Sequence, residues 1–208
     1  MKNLLLFLVF VCTLSLPCWG NPVPFSPIVR NYSVLDYNAG NENWAVAQDG
    51  RGVMYFGNNS GLLRYDGSRW KLFPLPASGI VRAVYVASDG RIYVGSFEEF
   101  GYFEENDLNL LEYHSLKDQV KGFNFHNDEI WTIVEQGGNI VFQSFGSYFI
   151  YDGTTTKGVR CHELPLNLFR VGDTVYSQLI NAGVCVFTGD RFTPLISRQE
   201  LGNSDVLA

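Results

Sequence analysis

Length, composition and charge already restrict the class of this protein. The 208 residues are enough to bury a substantial core, and 46% of them are apolar, with 16 Phe, 11 Tyr and 21 Gly. This composition argues against a disordered chain, and the frequent glycines favour many short strands joined by turns. The net charge of −6 argues against nucleic-acid binding, which needs a basic surface.

The N-terminal segment has the pattern of a secretory signal peptide. Lys2 precedes an apolar run over residues 4–16, Pro17 breaks the run, and Gly20 ends a suitable cleavage site. The run is shorter than the ~20 residues that cross a bilayer. The sequence therefore predicts a signal peptide over residues 1–20 and an exported chain from residue 21 onward. An uncleaved anchor and a lipidated Cys18 are the alternatives.

A phrase recurs along the chain at a spacing of about 40 residues. Asp49-Gly50 and Asp89-Gly90 lie 40 residues apart, and each precedes a strand-like run, VMYFGN or IYVGS. Asp-Gly favours a tight hairpin turn because glycine readily adopts a positive φ. LLRYDG at 62–67 and YFIYDG at 148–153 repeat in a second register, and the later units keep the same order of parts. We therefore interpret the chain as four related units.

Each unit is predicted to contain four short strands. Such repeats are typical of β-propeller blades, whose sheets bury both faces against neighbouring blades, so inner strands such as WAVA are expected to be apolar on both faces. A β-solenoid has shorter repeats, and a two-sheet sandwich would not explain the recurrence. Residues 27–33 are a candidate outer strand for the blade that closes the ring. The predicted fold class is all-β, an incomplete β-propeller over residues 21–208, with blades of four antiparallel strands at 43–76, 80–116, 128–165 and 167–197 and the start of a fifth at 203–208.

Two stretches in the first and second units carry a recognisable motif. They consist of Asp89, Gly90, Ile92, Tyr93, Val94, Gly95 and Ser96, and of Gly61, Leu62, Arg64, Tyr65 and Asp66. These stretches resemble the two halves of the two-component regulator propeller repeat. The third and fourth units resemble it only in outline.

This resemblance implies the periplasmic sensor region of a membrane-bound regulator. In that family, one or two propellers precede a β-sandwich, a transmembrane helix and a cytoplasmic output, which is a histidine kinase or a helix-turn-helix domain. The ligands are typically oligosaccharides. The resemblance therefore implies an oligosaccharide ligand, contacts with the chain's own downstream propeller, β-sandwich and membrane domains, and a periplasmic location of a protein anchored in the inner membrane. A homodimer is left open, and no nucleic acid is expected to bind these residues.

No residue pattern indicates catalysis, a metal or a cofactor. The residues His114, His126 and His162 lack the spacing of a metal-ligand set. Ser60 lies in a predicted hairpin turn with no helix after it, unlike a nucleophile elbow. The sequence therefore predicts a region without catalytic residues, metal or cofactor, although a kinase output beyond the C-terminus is compatible with it. Cys161 and Cys185 remain after signal cleavage, and they either pair in an oxidising compartment or fill the core as small apolar side chains.

The loops between the second and third strands of the first two units form the predicted ligand site. Aromatic faces stack on pyranose rings, while amides and carboxylates bind sugar hydroxyls. The same residue types also serve as turn formers. The candidate residues are Asn58, Asn59, Phe97, Glu98, Glu99 and Phe100.

The predicted function is extracytoplasmic ligand sensing for a membrane-bound transcriptional or two-component regulator that responds to an oligosaccharide. One alternative is a propeller enzyme of the streptogramin-lyase-like type, whose blades share the Asp-Gly-aromatic phrase and which would need a His or metal cluster. A secreted interaction scaffold is the other alternative. Trp44, Trp70 and Trp131 are sugar platforms under the first function, but at strand positions they are predicted to be core between blades.

Overall fold

A computed structural model describes residues 28–76, 79–108 and 110–202. The chain divides into two compact units, residues 1–31 and residues 32–208. In the described part of the first unit, residues 28–31, there is no helix or strand. The predicted signal peptide at 1–20 and the predicted start of a fifth blade at 203–208 lie outside the described residues.

The described part of the second unit contains the four predicted blades. Each is a four-stranded antiparallel sheet in which strands consecutive in sequence are hydrogen-bonded neighbours. Blades one and two consist of β1 (Asn43–Gln48), β2 (Met54–Asn58), β3 (Gly61–Tyr65), β4 (Trp70–Phe73), β5 (Ala83–Val86), β6 (Ile92–Ser96), β7 (Glu99–Glu105) and β8 (Leu111–Ser115).

Blades three and four repeat this arrangement. Their boundary differs by two residues from the prediction, because the first strand of blade four already begins at Pro165. The strands are β9 (Thr132–Gln136), β10 (Asn139–Gln143), β11 (Ser147–Tyr151), β12 (Thr156–Arg160), β13 (Pro165–Val171), β14 (Thr174–Leu179), β15 (Gly183–Thr188) and β16 (Arg191–Ser197).

The described residues also form three short helical segments. They are α1 (Val34–Tyr37), a 3-10 helix (Lys117–Gln119) and α2 (Arg198–Leu201). The described residues of the predicted outer strand, 28–33, form no strand; they lead instead into α1, where the Ser33 N–H donates to the Asp36 carboxylate (2.6 Å) and caps the helix. Within the described ranges, no helix is long and apolar enough to cross a membrane.

Aspartates hold the hairpin turns at the predicted positions. Oδ1 of Asp49 accepts the backbone N–H of Val53 at 2.9 Å, which closes the turn between β1 and β2. The positive φ predicted for Gly50 lies at Gly52 instead (φ 85°), because this turn extends to Val53. In blade two, Gly90 has the predicted positive φ (83°).

The apolar core lies between neighbouring sheets. The innermost strands β1, β5, β9 and β13 lie next to one another, and one cluster of buried side chains fills each of the three blade interfaces. Between blades two and three, for example, the rings of Phe100 and Phe149 stack at 4.7 Å. Tyr148 and Phe187 meet at 5.3 Å between blades three and four.

The prediction that inner strands are buried on both faces is wrong for β1. Trp44 and Val46 are 45% and 59% exposed, because no sheet among the described residues packs on that face. Trp44, Trp70 and Trp131 are also absent from the three core clusters, contrary to expectation. Trp70 instead stacks on Tyr65 at 4.4 Å, on the face of blade one that points away from blade two.

A glycine in the second strand of blades one and two lies where the chain enters the next blade. A Cβ atom on Gly57 would lie 2.7 Å from the carbonyl oxygen of Val81. On Gly95 it would lie 2.6 Å from Cβ of Ile130. Close inter-blade contact therefore explains the glycine of the repeated phrase.

Blade three has Gln143 at the corresponding position, and its side chain is completely buried. Its Nε2 donates to the carbonyl oxygens of Pro165 and Leu166, both at 3.1 Å, and its Oε1 accepts the N–H of Leu168 at 2.8 Å. Here a buried amide replaces close backbone contact as the link to the next blade.

Candidate functional site

Three long side chains from three blades meet where the innermost strands begin. Trp44 is the second residue of β1, Arg82 directly precedes β5, and Trp131 directly precedes β9. The Arg82 guanidinium carbon lies 3.8 Å from the ring centroid of Trp44 and 5.3 Å from that of Trp131. The two indoles meet edge to face at 6.4 Å. We refer to these three residues as the Trp–Arg cluster.

Polar partners fix the orientation of this cluster. Nε of Arg82 donates to Oε1 of Glu129 at 2.6 Å, and Nε1 of Trp44 donates to Oδ1 of Asn59 at 2.7 Å. Asn59 in turn donates to the carboxylate of Glu42 at 3.0 Å. These bonds hold the ring planes and the guanidinium in one arrangement, as a binding surface for a rigid ligand requires.

Two exposed phenylalanines extend the aromatic surface. Phe145, in the turn between β10 and β11, is 51% exposed, and its ring lies 5.7 Å from that of Trp131. Phe97, in the turn between β6 and β7, is 53% exposed and forms an isolated β-bridge with Glu129, the partner of Arg82. Both turns join the second and third strands of a blade, which is the type of loop in which the sequence predicts the ligand site.

An open cleft of about 320 Å³ adjoins Glu129. It combines apolar surface with charges of both signs. Its lining includes Ile80, Phe97, Glu98, Glu99, Lys117 and Glu129. The candidate site therefore consists of an aromatic surface and a neighbouring polar cleft.

Two of the predicted site residues are structural and are removed from the candidate set. Asn58 is completely buried, and its amide bonds the backbone of Gly40 and Glu42 together with the Asn43 side chain. Phe100 is also completely buried in the core between blades two and three. Neither side chain has a surface that a ligand can reach in this conformation.

The other four predicted residues lie at the site with different accessibility. Asn59 supports Trp44, and Phe97 is exposed, as described above. Glu98 has a positive φ (47°), and its Oε1 accepts the N–H of Asn127 at 2.9 Å. Glu99 accepts the hydroxyls of Tyr113 and Ser115, both at 2.7 Å. Burial, together with this carboxylate, raises the pKa of Tyr113, so the phenol remains a neutral donor.

Sequence reasoning missed Arg82 and Glu129. A signal for Arg82 exists, since Trp44, Arg82 and Trp131 occupy equivalent positions ahead of AVA, AVYV and TIV, the apolar runs of the inner strands. Aligning the units on those runs would have placed the three side chains at one end of adjacent strands. Glu129 carries no such signal, because it lies in the irregular segment between blades two and three.

The described residues hold no group of three His, Cys, Asp or Glu side chains able to bind a metal ion. His114 stacks on Tyr102 at 5.0 Å and lies 3.2 Å from the carboxylate of Glu104, on the outer hairpin of blade two. This imidazole belongs to the blade itself and lies outside the candidate site.

Comparison with known proteins shows structural likeness at low sequence identity. No protein-family model and no curated protein matches the chain. The extracellular domain of a proposed one component system, BT4673, from B. thetaiotaomicron aligns with 71% of this chain and 21% of its own length, at 14% identity and a TM-score of 0.55. Virginiamycin B lyase from Staphylococcus aureus, in an inactive form with quinupristin, aligns with 79% of this chain and 58% of its own length, at 11% identity and a TM-score of 0.60.

The fold is that of a β-propeller. The chain spans about a fifth of the first of these structures and less than two thirds of the second. In this propeller, the starts of the inner strands and the turns between second and third strands carry the Trp–Arg cluster and both exposed phenylalanines.

Proposed function

We propose that this propeller is the exported ligand-sensing region of a membrane-bound regulator and that it binds an oligosaccharide. The observation that carries the proposal is the Trp–Arg cluster with exposed Phe145 beside it, bordered by a cleft of polar side chains. Sugar rings offer apolar C–H faces for aromatic stacking and hydroxyls for carboxylates and amides. The propeller fold of the BT4673 extracellular domain supports the sensor assignment.

The position of the cluster suggests how binding is transmitted. Trp44, Arg82 and Trp131 belong to three consecutive blades, so a ligand seated on them contacts two blade interfaces at once. Binding that favours one packing of these blades shifts the population toward it. Contact with downstream domains of the same protein would pass this shift across the membrane, and a homodimer offers a second route for the same signal.

The test is calorimetric titration of the full-length protein with a panel of neutral and acidic oligosaccharides of different chain lengths. For a binding member of the panel, we expect Trp131→Ala and Phe145→Ala each to weaken affinity at least tenfold. Phe169→Ala is the matched control, since Phe169 stacks on Tyr176 at 5.8 Å in blade four, away from the cluster. A panel without any binder, or a binder that tolerates Trp131→Ala, would contradict the proposal.

The cleft is tested separately. Replacing Phe97, Glu98 and Glu99 together by alanine is expected to weaken binding of longer oligosaccharides more than that of a disaccharide, because the cleft lies beyond the aromatic surface. Affinities that do not change for any chain length would remove the cleft from the site and leave the Trp–Arg cluster as the whole of it.

A second candidate function is a propeller lyase, favoured by the TM-score of 0.60 with the virginiamycin B lyase. Incubation of the protein with quinupristin, followed by chromatography, separates the two functions. We expect quinupristin to remain intact. Turnover would establish the enzyme and overturn the sensor. The expected export is tested by N-terminal sequencing of the mature protein, which should begin at Asn21.

A further inference from the structure

The guanidinium of Arg82 has an incomplete set of hydrogen-bond partners. Nε is bonded to Glu129, but Nη1 is shielded from solvent and has no partner. The structure gives Nη2 no partner among the described residues either, and the side chain as a whole is 15% exposed. The edge of the guanidinium opposite Nε therefore still has N–H groups to donate.

An unsatisfied charged donor at a shielded position is costly, because it has lost water without gaining an acceptor. Such groups are few in native proteins, and an oxygen atom supplied by water, an ion or a ligand is one way to satisfy them. Three further shielded atoms lack partners in the described residues, namely Arg64 Nε, Trp70 Nε1 and Ser177 Oγ. None of them belongs to the Trp–Arg cluster, whereas Nη1 of Arg82 lies at its centre.

The guanidinium is also fixed in place before any ligand arrives. The rings of Trp44 and Trp131 lie 3.8 and 5.3 Å from its carbon, and Glu129 holds Nε. Cation–π contact with two indoles restrains the position of the guanidinium, and the hydrogen bond from Nε to Glu129 restrains its orientation. A ligand that binds the Nη edge therefore has little side-chain entropy to overcome.

None of the nearby carboxylates contacts the Nη groups, and each accepts hydrogen bonds from other donors. Glu42 accepts from Asn59, Glu98 accepts from Asn127, and Glu99 accepts from Tyr113 and Ser115. Glu129 offsets the formal charge of Arg82 but contacts only Nε. Both Nη groups therefore keep N–H donors in the geometry that matches the paired oxygens of a carboxylate or sulfate, and because Nη1 is shielded in this conformation, binding at it requires a shift of the neighbouring side chains.

We propose that Arg82 binds an oxyanion carried by the sugar, a carboxylate or a sulfate group, so that the preferred ligand of this propeller is an acidic oligosaccharide. The inference rests on the proposed function, since it specifies the ligand class of the same site. The acidic group engages the Nη edge while its sugar ring, or a neighbouring one, stacks on the aromatic surface formed by half-buried Trp131 and exposed Phe145.

The test compares three monosaccharides on the full-length protein: glucuronate, glucose 6-sulfate and glucose. Tryptophan fluorescence reports binding, because Trp44 and Trp131 flank the guanidinium. We expect at least one charged sugar to bind tenfold or more tightly than glucose, and its affinity to fall with added sodium chloride while that of glucose does not. A response to only one of the two charged sugars identifies the anion as carboxylate or sulfate.

Two variants make the assignment specific to Arg82. Arg82→Lys keeps the positive charge but loses the paired donors, and it should weaken the charged sugar about tenfold and leave glucose unchanged. Arg91→Lys is the matched control, since Arg91 also lies over an aromatic ring, at 4.4 Å from Tyr102, and pairs with Glu104 at 2.9 Å, but it lies at the other end of β5, in the turn before β6. Equal thermal unfolding midpoints of the variants and the wild type establish that the fold is intact.

The outcomes separate this inference from the proposed function. Equal affinities for all three sugars, no fluorescence response to any of them, or an unchanged preference in Arg82→Lys would each overturn the acidic-ligand assignment. Binding of neutral oligosaccharides that depends on Trp131 but is indifferent to charge would leave sugar sensing standing and remove only the role of Arg82.

Discussion

Asp128 and Arg160 join the segment between the second and third blades to the last strand of blade three. Nη1 of Arg160 lies 3.1 Å from Oδ1 of Asp128, whose side chain is only 1% exposed. The hydroxyls of Ser144 and Ser147 donate to the same carboxylate oxygen at 2.9 and 2.7 Å. Glu129 follows Asp128 directly, so this network also positions the carboxylate that holds Arg82.

Asp128→Asn should destabilise the protein. The amide is isosteric, but it removes the charge that Arg160 and the two serines surround, at a cost of about 1–3 kcal/mol in the free energy of unfolding. Urea denaturation measures this change. Asp173→Asn is the control, because its fully exposed carboxylate also faces an arginine, Arg170, at 3.2 Å. Equal losses in both variants would show that the Asp128 network adds nothing beyond a surface ion pair.

The same network predicts a loss of stability in acid. Burial alone would raise the pKa of Asp128, but the N–H of His126, the two serine hydroxyls and Arg160 together lower the pKa below its ordinary value. A carboxyl whose pKa is lowered on folding stabilises the protein above the unfolded-state pKa, near 4, and this contribution is lost as the pH falls through the folded-state pKa. We expect urea midpoints to fall below pH 4, and to fall less in Asp128→Asn than in the wild type.

Gly95→Ala tests why the repeated phrase contains glycine. The added Cβ would overlap the Ile130 side chain, so we expect a loss of about 1–3 kcal/mol from overpacking. Gly50→Ala is the control, since a Cβ there meets nothing within 4 Å and its φ is not positive. Thermal unfolding should show a lower midpoint for the first variant and an unchanged or slightly higher midpoint for the second. A similar midpoint in both would disprove the close-contact explanation.

The repeat made the fold predictable, because a phrase that recurs with turn residues at fixed offsets specifies strands and their order locally. Asp49 and Asp89 fix turns within a few residues, so their roles can be read from the sequence. Contacts between blades cannot be predicted in this way, because they join residues that are distant in sequence. Asn58 and Asn59 are adjacent and chemically identical. Asn58 is nevertheless buried and hydrogen-bonded to the backbone, whereas Asn59 accepts a hydrogen bond from the exposed indole of Trp44. Which of the two side chains is buried depends on the position of residues 40–44, which are distant in sequence and supply the hydrogen-bond partners of both.

The candidate site overlaps the loops chosen from the sequence, but most of its residues could not be identified from the sequence. The loops between second and third strands, in which the sequence places the ligand site, adjoin the Trp–Arg cluster, and Phe97 is exposed there. The prediction that Phe100 lies in the ligand-binding loop is not supported, because the turn is shorter than the repeated phrase suggested and β7 already begins at Glu99. Side chains alternate between the two faces of a strand, and Phe100 therefore points into the core. Arg82 and Glu129 come together from different segments, which no short motif can indicate.

Gln143→Leu should weaken the packing of blade four against blade three. The substitution keeps the volume but leaves two carbonyl oxygens and the N–H of Leu168 without a buried partner, each worth about 1–3 kcal/mol. We expect hydrogen exchange to accelerate throughout β13 while exchange in β1 remains slow. Gln48→Leu is the control, because Gln48 is exposed and donates a single bond, to Gly52. If β13 exchanged no faster in Gln143→Leu than in Gln48→Leu, the buried amide would not anchor the fourth blade.

The two described cysteines are free thiols, and we expect both to resist modification in the folded protein. Burial raises the pKa of Cys161 to about 11, although Arg160 opposes the shift, and burial also raises the pKa of Cys185. Only a small fraction of either thiol is therefore ionised at pH 8, and the thiolate is the reactive form. Ellman's reagent should react slowly with the native protein and rapidly with both cysteines in urea. Rapid reaction of the native protein would contradict the burial of these thiols, and no reaction in urea without reductant would reveal a disulfide between them.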